Sequence, residues 1–161
     1  MSDAFWTPDG LDAYVEAVGS CNLSCPACGN GHLPHSRPGG ILDPGRLERI
    51  LDKLEAEAPS GARPRVHLFN WGEPLLHPEL PELVRRVRRR GLSCRLSSNL
   101  VRPRDLDAVV AAAPDWFRVS VSGFTQPVYG RTHRGGDVER VKANLLALRG
   151  AIDRHRVATA V

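Results

Sequence analysis

Cys21-Asn22-Leu23-Ser24-Cys25-Pro26-Ala27-Cys28 places three cysteines in a C-x3-C-x2-C spacing. All three thiolates fall on one short segment that reads as a loop, and such a loop can wrap its sulfurs around one metal centre. A structural zinc site holds its ion with four ligands. The fourth would have to come from Cys94, His32 or His35. Cys94 lies inside an alternating apolar pattern and reads as a small buried residue. His32 and His35 keep open a zinc-binding module of three cysteines and one histidine without catalytic activity. Cys25-Pro26-Ala27-Cys28 alone suits a redox dithiol, which leaves Cys21 without a role. An iron–sulfur cluster uses cysteine thiolates throughout. With three cysteines, a four-iron cluster keeps one iron free of protein, and an open coordination position marks a catalytic metal.

The elements that must position this loop follow from the rest of the chain. Its 161 residues are 42% apolar and 25% charged, enough for one domain with a sizeable core. The amino-terminal residues Met1 to Trp6 carry no basic stretch followed by an apolar one, so no secretory signal is legible. No apolar run approaches the roughly 20 residues of a membrane span. Free thiols without signs of export point to reducing cytoplasm. The net charge of +4 owes much to Arg85, Arg86, Arg88, Arg89 and Arg90. This run reads as the solvated face and end of a helix, where cations suit the macrodipole. Nothing pairs it with aromatics or a second basic stretch, which argues against nucleic acid.

Leu11 to Gly19 reads as a first strand leading directly to Cys21. Residues 29–42, rich in Gly, Pro and His, read as a loop. Leu47, Ile50, Leu51 and Leu54 form one helical stripe over Pro44 to Ala58, with Asp43 as N-cap. Strand, helix and strand then alternate. Arg65 to Asn70 is a strand, Pro78 to Arg90 a helix stopped by Gly91, and Leu92 to Ser97 a strand. Pro103 to Ala113 is a helix, Trp116 to Val121 a strand, Tyr129 to Gly136 a loop or turn, and a last helix is capped by Asp137. Arg156 to Val161 begins a fifth strand. The alternation predicts an α/β fold with a parallel sheet, doubly wound or a (β/α) barrel, and ligands at the carboxyl ends of the strands. Cys21, Gly72-Glu73, Ser98-Asn99 and Ser122-Gly123 all fall at such ends.

Together these motifs resemble the radical S-adenosylmethionine (radical SAM) superfamily over about residues 11–161. Cys21, Cys25 and Cys28 match its cluster motif, with Ala27 where an aromatic residue is usual. Asn70-Trp71-Gly72-Glu73-Pro74 matches "GGEP", with Trp71 for the first glycine. Ser97-Ser98-Asn99 resembles "TNG", with Leu100 for the glycine. Val119 to Gly123 resembles "ISLDG", with Ser122 for Asp. The resemblance implies a partial (β/α) barrel of the radical SAM type, here about four βα units plus the start of a fifth strand. It makes residues 1–161 a radical SAM core domain that is incomplete at its carboxyl end, or else an inactive fragment of one.

The resemblance also implies roles. Cys21, Cys25 and Cys28 would hold a [4Fe-4S] cluster, whose open iron takes the amino and carboxylate groups of S-adenosylmethionine. Backbone at Gly72, with Glu73, would accept from the ammonium group. Ser98 and Asn99 would meet the ribose hydroxyls, and Ser120 the ribose or carboxylate. Arg134, or Arg131 in its place, would pair with the carboxylate, which a guanidinium fork fits bidentately. The implied chemistry is reductive cleavage of S-adenosylmethionine to a 5′-deoxyadenosyl radical that takes hydrogen from a substrate. It requires an electron donor such as flavodoxin or ferredoxin. The "WGEP" variant resembles SPASM-type members that modify peptides or natural products, so the substrate would be a peptide or small molecule. The motifs single out no catalytic side chain beyond the cofactor site.

Overall fold

The computed structural model describes residues 11–32, 39–59 and 61–161. Within them a four-stranded parallel sheet has the order β1-β2-β3-β4, with β1 Asp12–Tyr14, β2 Arg65–His67, β3 Ser93–Ser98 and β4 Trp116–Val119. Each strand is followed by helix before the next begins: α1 Gly29–His32 and α2 Pro44–Glu57, then α3 Leu80–Arg89, α4 Leu106–Ala111, and α5 Gln126–Thr132 with α6 Val138–His155. The sheet is open among the described residues, and the arrangement is the predicted partial barrel.

Strand alternation divides the sheet into two faces. Val66, Leu68, Cys94, Leu96 and Phe117 point to the helices and are fully buried, packed against Leu47, Leu51, Leu83, Val87 and Leu148. Cys94 is therefore the apolar core residue its strand pattern indicates, and burial pushes its thiol up out of the ordinary range. The opposite, concave face carries polar and aromatic side chains. The register lines up Tyr14, His67, Arg95 and Trp116 in one row, with Ser97 beside Arg118 in the next.

Local chemistry sets the boundaries. Asp43 caps α2 through Arg46 N at 2.9 Å, with Pro44 in the first turn, and Asp137 caps α6 through Glu139 N at 2.9 Å. Gly91, at φ 70°, takes the left-handed position that ends α3. Helix α4 begins at Leu106, later than Pro103, because Asp105 is the residue whose side chain caps it. Two segments expected as loops are partly helical. Gly29–His32 makes one turn directly after Cys28, and Gln126–Thr132 forms α5, entered through Pro127. The expected fifth strand reduces to one parallel bridge, in which Phe117 N donates to Ala160 O and Ala160 N to Asp115 O, at 2.8 and 3.0 Å.

The arginine run is committed to ion pairs. Arg86 and Arg90 of α3 reach Glu48 of α2, Arg90 also meets Asp52 and Glu55, and Arg88 meets Asp115. This stitches two helices across the outer layer and fits the solvated-face reading. No helix among the described residues is long and apolar enough to cross a membrane.

Candidate cofactor and metal site

The cysteine loop leaves β1 and is clamped from several directions. Val18 bridges Ile41, Gly19 N donates to Gly40 O at 2.9 Å, and Glu73 N donates to Ser20 O at 2.9 Å. Ser24 N donates to Arg134 O at 3.0 Å. Within the loop, Cys28 N bonds Cys25 O at 3.1 Å and Gly31 N bonds Cys28 O at 2.9 Å, so the last two cysteines ride on a tight turn into α1. Asn30 fastens that turn by donating to Gly19 O and Trp71 O, at 3.3 and 3.0 Å.

Gly72 is dictated by packing of backbone on backbone. A Cβ there would lie 1.7 Å from Val18 O, so the loop after β2 can lie against the end of β1 only without a side chain. The resemblance implies approach of a ligand's ammonium group to this backbone. The contact partner in the structure is the chain itself, with Glu16 Oε1 accepting from the N–H groups of Trp71 and Gly72, both at 2.9 Å.

Glu73 is 3% exposed, and its carboxylate ties two strand ends together. Oε1 accepts from Leu75 N at 3.0 Å and Ser98 Oγ at 2.8 Å, and Oε2 accepts from Asn99 N at 2.8 Å. Burial pushes its acidity toward the neutral form, and these donors oppose that shift. A carboxylate has about four acceptor positions, and three are used here, which leaves one for a cation at the cleft. Ser98 Oγ in turn accepts from Leu100 N at 2.8 Å, and Asn99 Oδ1 from Val101 N at 3.0 Å. Asn99 Nδ2 reaches across to Asn22 Oδ1 at 3.0 Å and Cys21 Sγ at 3.6 Å. Leu100 holds φ 54°, the conformation that glycine of the usual motif adopts without strain.

These strand ends enclose a cleft of about 190 Å³ lined by Cys21, Cys25, Gly72, Glu73, Ser98, Asn99 and Ser120. Seven of the nine predicted metal- and cofactor-binding residues thus share one wall, all of them after carboxyl ends of strands or at those ends. Cys28 sits behind on the turn. Arg134 does not line the cleft: its side chain is exposed, and its carbonyl holds Ser24 of the cysteine loop. Arg131 is exposed on α5. A larger cavity of about 390 Å³ lies at the other end of the sheet, around Ala58, Arg63 and Leu92, and it gathers no comparable group of reactive side chains.

The same cleft holds residues that no motif announced: Phe69, Arg118 and His133. Arg118 was within reach of strand alternation, since it stands two residues before Ser120 and shares its face. His133 was hidden by reading its segment as a loop. It closes α5, stacks on Tyr129 with centroids 4.6 Å apart, and sets Nδ1 2.7 Å from Ser122 Oγ. Burial holds its pKa below the ordinary histidine value. Ser122, at the position of the usual Asp, here orients this histidine.

The donor set fits a four-iron cluster. Cys21, Cys25 and Cys28 are free and partly exposed. Burial pushes the Cys21 thiol up to about 11, with Glu73 and the neighbouring cysteines adding to it, and Cys25 shifts the same way. Such crowded thiols give up their protons to a metal centre that supplies the compensating charge. Asn22 Nδ2 is buried in this loop without an acceptor among the described residues, and Asn99 Nδ2 already points at sulfur. Amide donors of this kind suit thiolate and sulfide acceptors. Among the described residues no three His, Cys, Asp or Glu side chains converge as a single ion requires. A cluster takes each thiolate at a separate iron. His35 falls outside the described residues, and of His32 only the backbone is described.

Comparison with known proteins agrees with this geometry. The profile of the Radical SAM superfamily matches residues 15–161. GTP 3′,8-cyclase of Chlorobaculum tepidum is 27% identical over 135 residues, covering 81% of this chain and 38% of that protein. PqqA peptide cyclase of Ruegeria pomeroyi is 30% identical over 133 residues, covering 80% and 34%. The chain thus spans well under half the length of these relatives. Native anSMEcpe with bound AdoMet superposes with a TM-score of 0.68 at 18% identity, over 92% of this chain and 42% of that one.

Proposed function

The chain belongs to the radical SAM superfamily, and on that premise we propose that residues 1–161 form the core domain, or a large part of it, of an enzyme that reductively cleaves S-adenosylmethionine. The observation that carries this reading is the cleft itself. The cysteine loop, the Gly72-Glu73 turn, Ser98-Asn99 and Ser120 come from four successive strand ends and meet on one wall.

Cys21, Cys25 and Cys28 would hold the [4Fe-4S] cluster, and Gly72, Glu73, Ser98, Asn99, Ser120 and Arg134 would hold S-adenosylmethionine. When bound, cluster and cofactor supply one-electron cleavage of the sulfonium C–S bond and hydrogen abstraction from a substrate. The chain's own residues do the positioning. Glu73 offers its remaining acceptor position to the cofactor's ammonium group while fixing the ends of β2 and β3. Asn99 holds Cys21 and the ribose side of the cleft in one register. Ser120 presents a hydroxyl from the concave face. Arg134, anchored to the cysteine loop through its carbonyl, would offer a guanidinium that can fork the carboxylate. The loop clamps hold the three sulfurs in place.

A reducing, membrane-free compartment and a flavodoxin- or ferredoxin-type donor suit this chemistry. The named activities of the relatives, cyclisation of a nucleotide and of a peptide, make a small molecule or a peptide the substrate class. Anaerobic reconstitution with iron and sulfide should yield brown protein with close to four irons per chain. Dithionite with S-adenosylmethionine should then release methionine and 5′-deoxyadenosine, and Cys25→Ala should abolish both results. Colourless protein carrying about one zinc would overturn the proposal.

A further inference from the structure

Two guanidinium groups on the concave face take no part in the cofactor site proposed above. Arg118 of β4 lines the cleft. Its Nε donates to Ser97 Oγ at 3.0 Å, and its guanidinium carbon lies 5.5 Å from the Phe69 ring centroid and 5.7 Å from that of Trp116. Arg95 of β3 covers the same indole at 5.6 Å, and its Nε is buried without an acceptor. Aromatic planes on these sides hold both cations in place.

Among the described residues the nearby carboxylates are already engaged. Asp12 is taken by Arg65 and His67, Glu16 by the amides of Trp71 and Gly72, and Glu73 by Leu75, Ser98 and Asn99. Among the described residues no carboxylate pairs with Arg118 or Arg95, whereas the arginines of α3 are matched to acids. Arg118 is exposed and Arg95 half-buried, and the buried Nε of Arg95 is a donor without an acceptor, which is costly. An anion entering the trough can answer that donor and face both positive charges. Because Nε of Arg118 is already engaged, its two Nη groups remain as a preset fork, the geometry that carboxylate and phosphate share.

We propose that Arg118, seconded by Arg95, is the receptor for an anionic group of the substrate, a carboxylate or a phosphate. Depth favours the substrate over the methionine carboxylate as the source. Arg118 stands two residues before Ser120, about 6–7 Å below the strand ends that carry the cysteine loop, and Arg95 lies one row deeper. The inference rests on the reading of this cleft as a radical SAM site only for its assignment to the substrate.

Two measurements separate the possibilities. The first follows the arginine Nε–H signals by NMR while succinate or inorganic phosphate is added at constant ionic strength. The signals of Arg118 and Arg95 should shift to saturation, and that of the exposed Arg149, paired with Asp153, should not. Arg118→Gln should weaken the Arg95 response on the order of ten- to a hundredfold, and Arg118→Lys should recover only part of it. Uniform shifts of all arginines, or none, overturn the receptor, whether or not the protein accepts a cluster. The second compares binding of S-adenosylmethionine by reconstituted protein. Arg118→Gln should leave its affinity unchanged, and Arg134→Gln should lower it. A loss in Arg118→Gln would make the methionine carboxylate the anion and overturn the substrate assignment. Arg118→Lys provides the same comparison if the glutamine variant fails to fold.

Discussion

Glu73 combines a place at the cleft with a set of hydrogen bonds that hold the fold. Its place after β2 marked it as a ligand-binding acid, and it does face the cleft. Most of its hydrogen-bonding capacity, however, goes to holding Leu75, Ser98 and Asn99. Glu73→Gln keeps the shape but sets an amide donor against a backbone N–H or the Ser98 hydroxyl. We expect a loss of about 1–3 kcal/mol of stability, read as a lower urea midpoint, together with weaker cofactor binding. Gly72→Ala should be worse than an ordinary cavity-filling change, because its methyl would meet the Val18 carbonyl and neither backbone can yield cheaply. A destabilisation at or above about 3 kcal/mol is expected, with loss of iron uptake. The three cysteines, Gly72 and Asn99 were legible because few other residue types could fill those positions. His133 was not, since histidine is common on any surface and its segment read as a loop; Arg118 was readable as sharing the strand face of Ser120, but only the folded register gives the two a shared cleft.

Elements were legible where periodicity was strong and obscure where glycine and proline broke it. The apolar stripes of α2, α3 and α6, with the Asp43 and Asp137 caps of the first and last, made those helices readable. Helix α5 contains Pro127 and Gly130 and carries one buried anchor, Tyr129, too little pattern to reveal a helix. Strand β2 brings a pH dependence. His67 is 5% exposed and joined to Asp12 at 2.7 Å, and burial, outweighing Asp12, holds its pKa below 6.5. The unfolded chain therefore binds a proton that the folded chain refuses. Stability is complete above about pH 6.5 and falls as the pH drops through the folded value. The hydrogen bond from Arg65 keeps Asp12 below the usual carboxylate range, so it adds a further loss on stronger acidification. The urea midpoint should fall between about pH 7.5 and about pH 5.5, and His67→Phe should flatten that part of the profile.

For the whole molecule, the parallel sheet and the gathering of function at its carboxyl edge followed from the strand–helix alternation. The polarity of the concave face did not, because it depends on which strands lie side by side. The barrel wall is apolar toward the helices and cationic, aromatic and hydroxylic toward the trough. Substituting Ser97 by Ala tests this arrangement without touching a charge. It removes the only side-chain hydrogen bond that Arg118 makes among the described residues. The guanidinium should then become more mobile on the nanosecond scale by NMR relaxation, with folding stability changed by about 1 kcal/mol or less.

The hydrogen bonds from Ser24 to Arg134 span 110 residues. They fix the order in which the site can come into being during synthesis. Cys21, Cys25 and Cys28 leave the ribosome early, long before the carbonyl that braces their loop exists. Until α5 and the turn after it have been made and packed, the sulfurs sit on a tether with one wall missing. Metal insertion into the finished geometry thus waits for these residues, and the nascent chain carries three exposed thiols until they have been made. A polypeptide ending near residue 123 should show rapid hydrogen exchange at Ser24 N, where the 161-residue chain is protected.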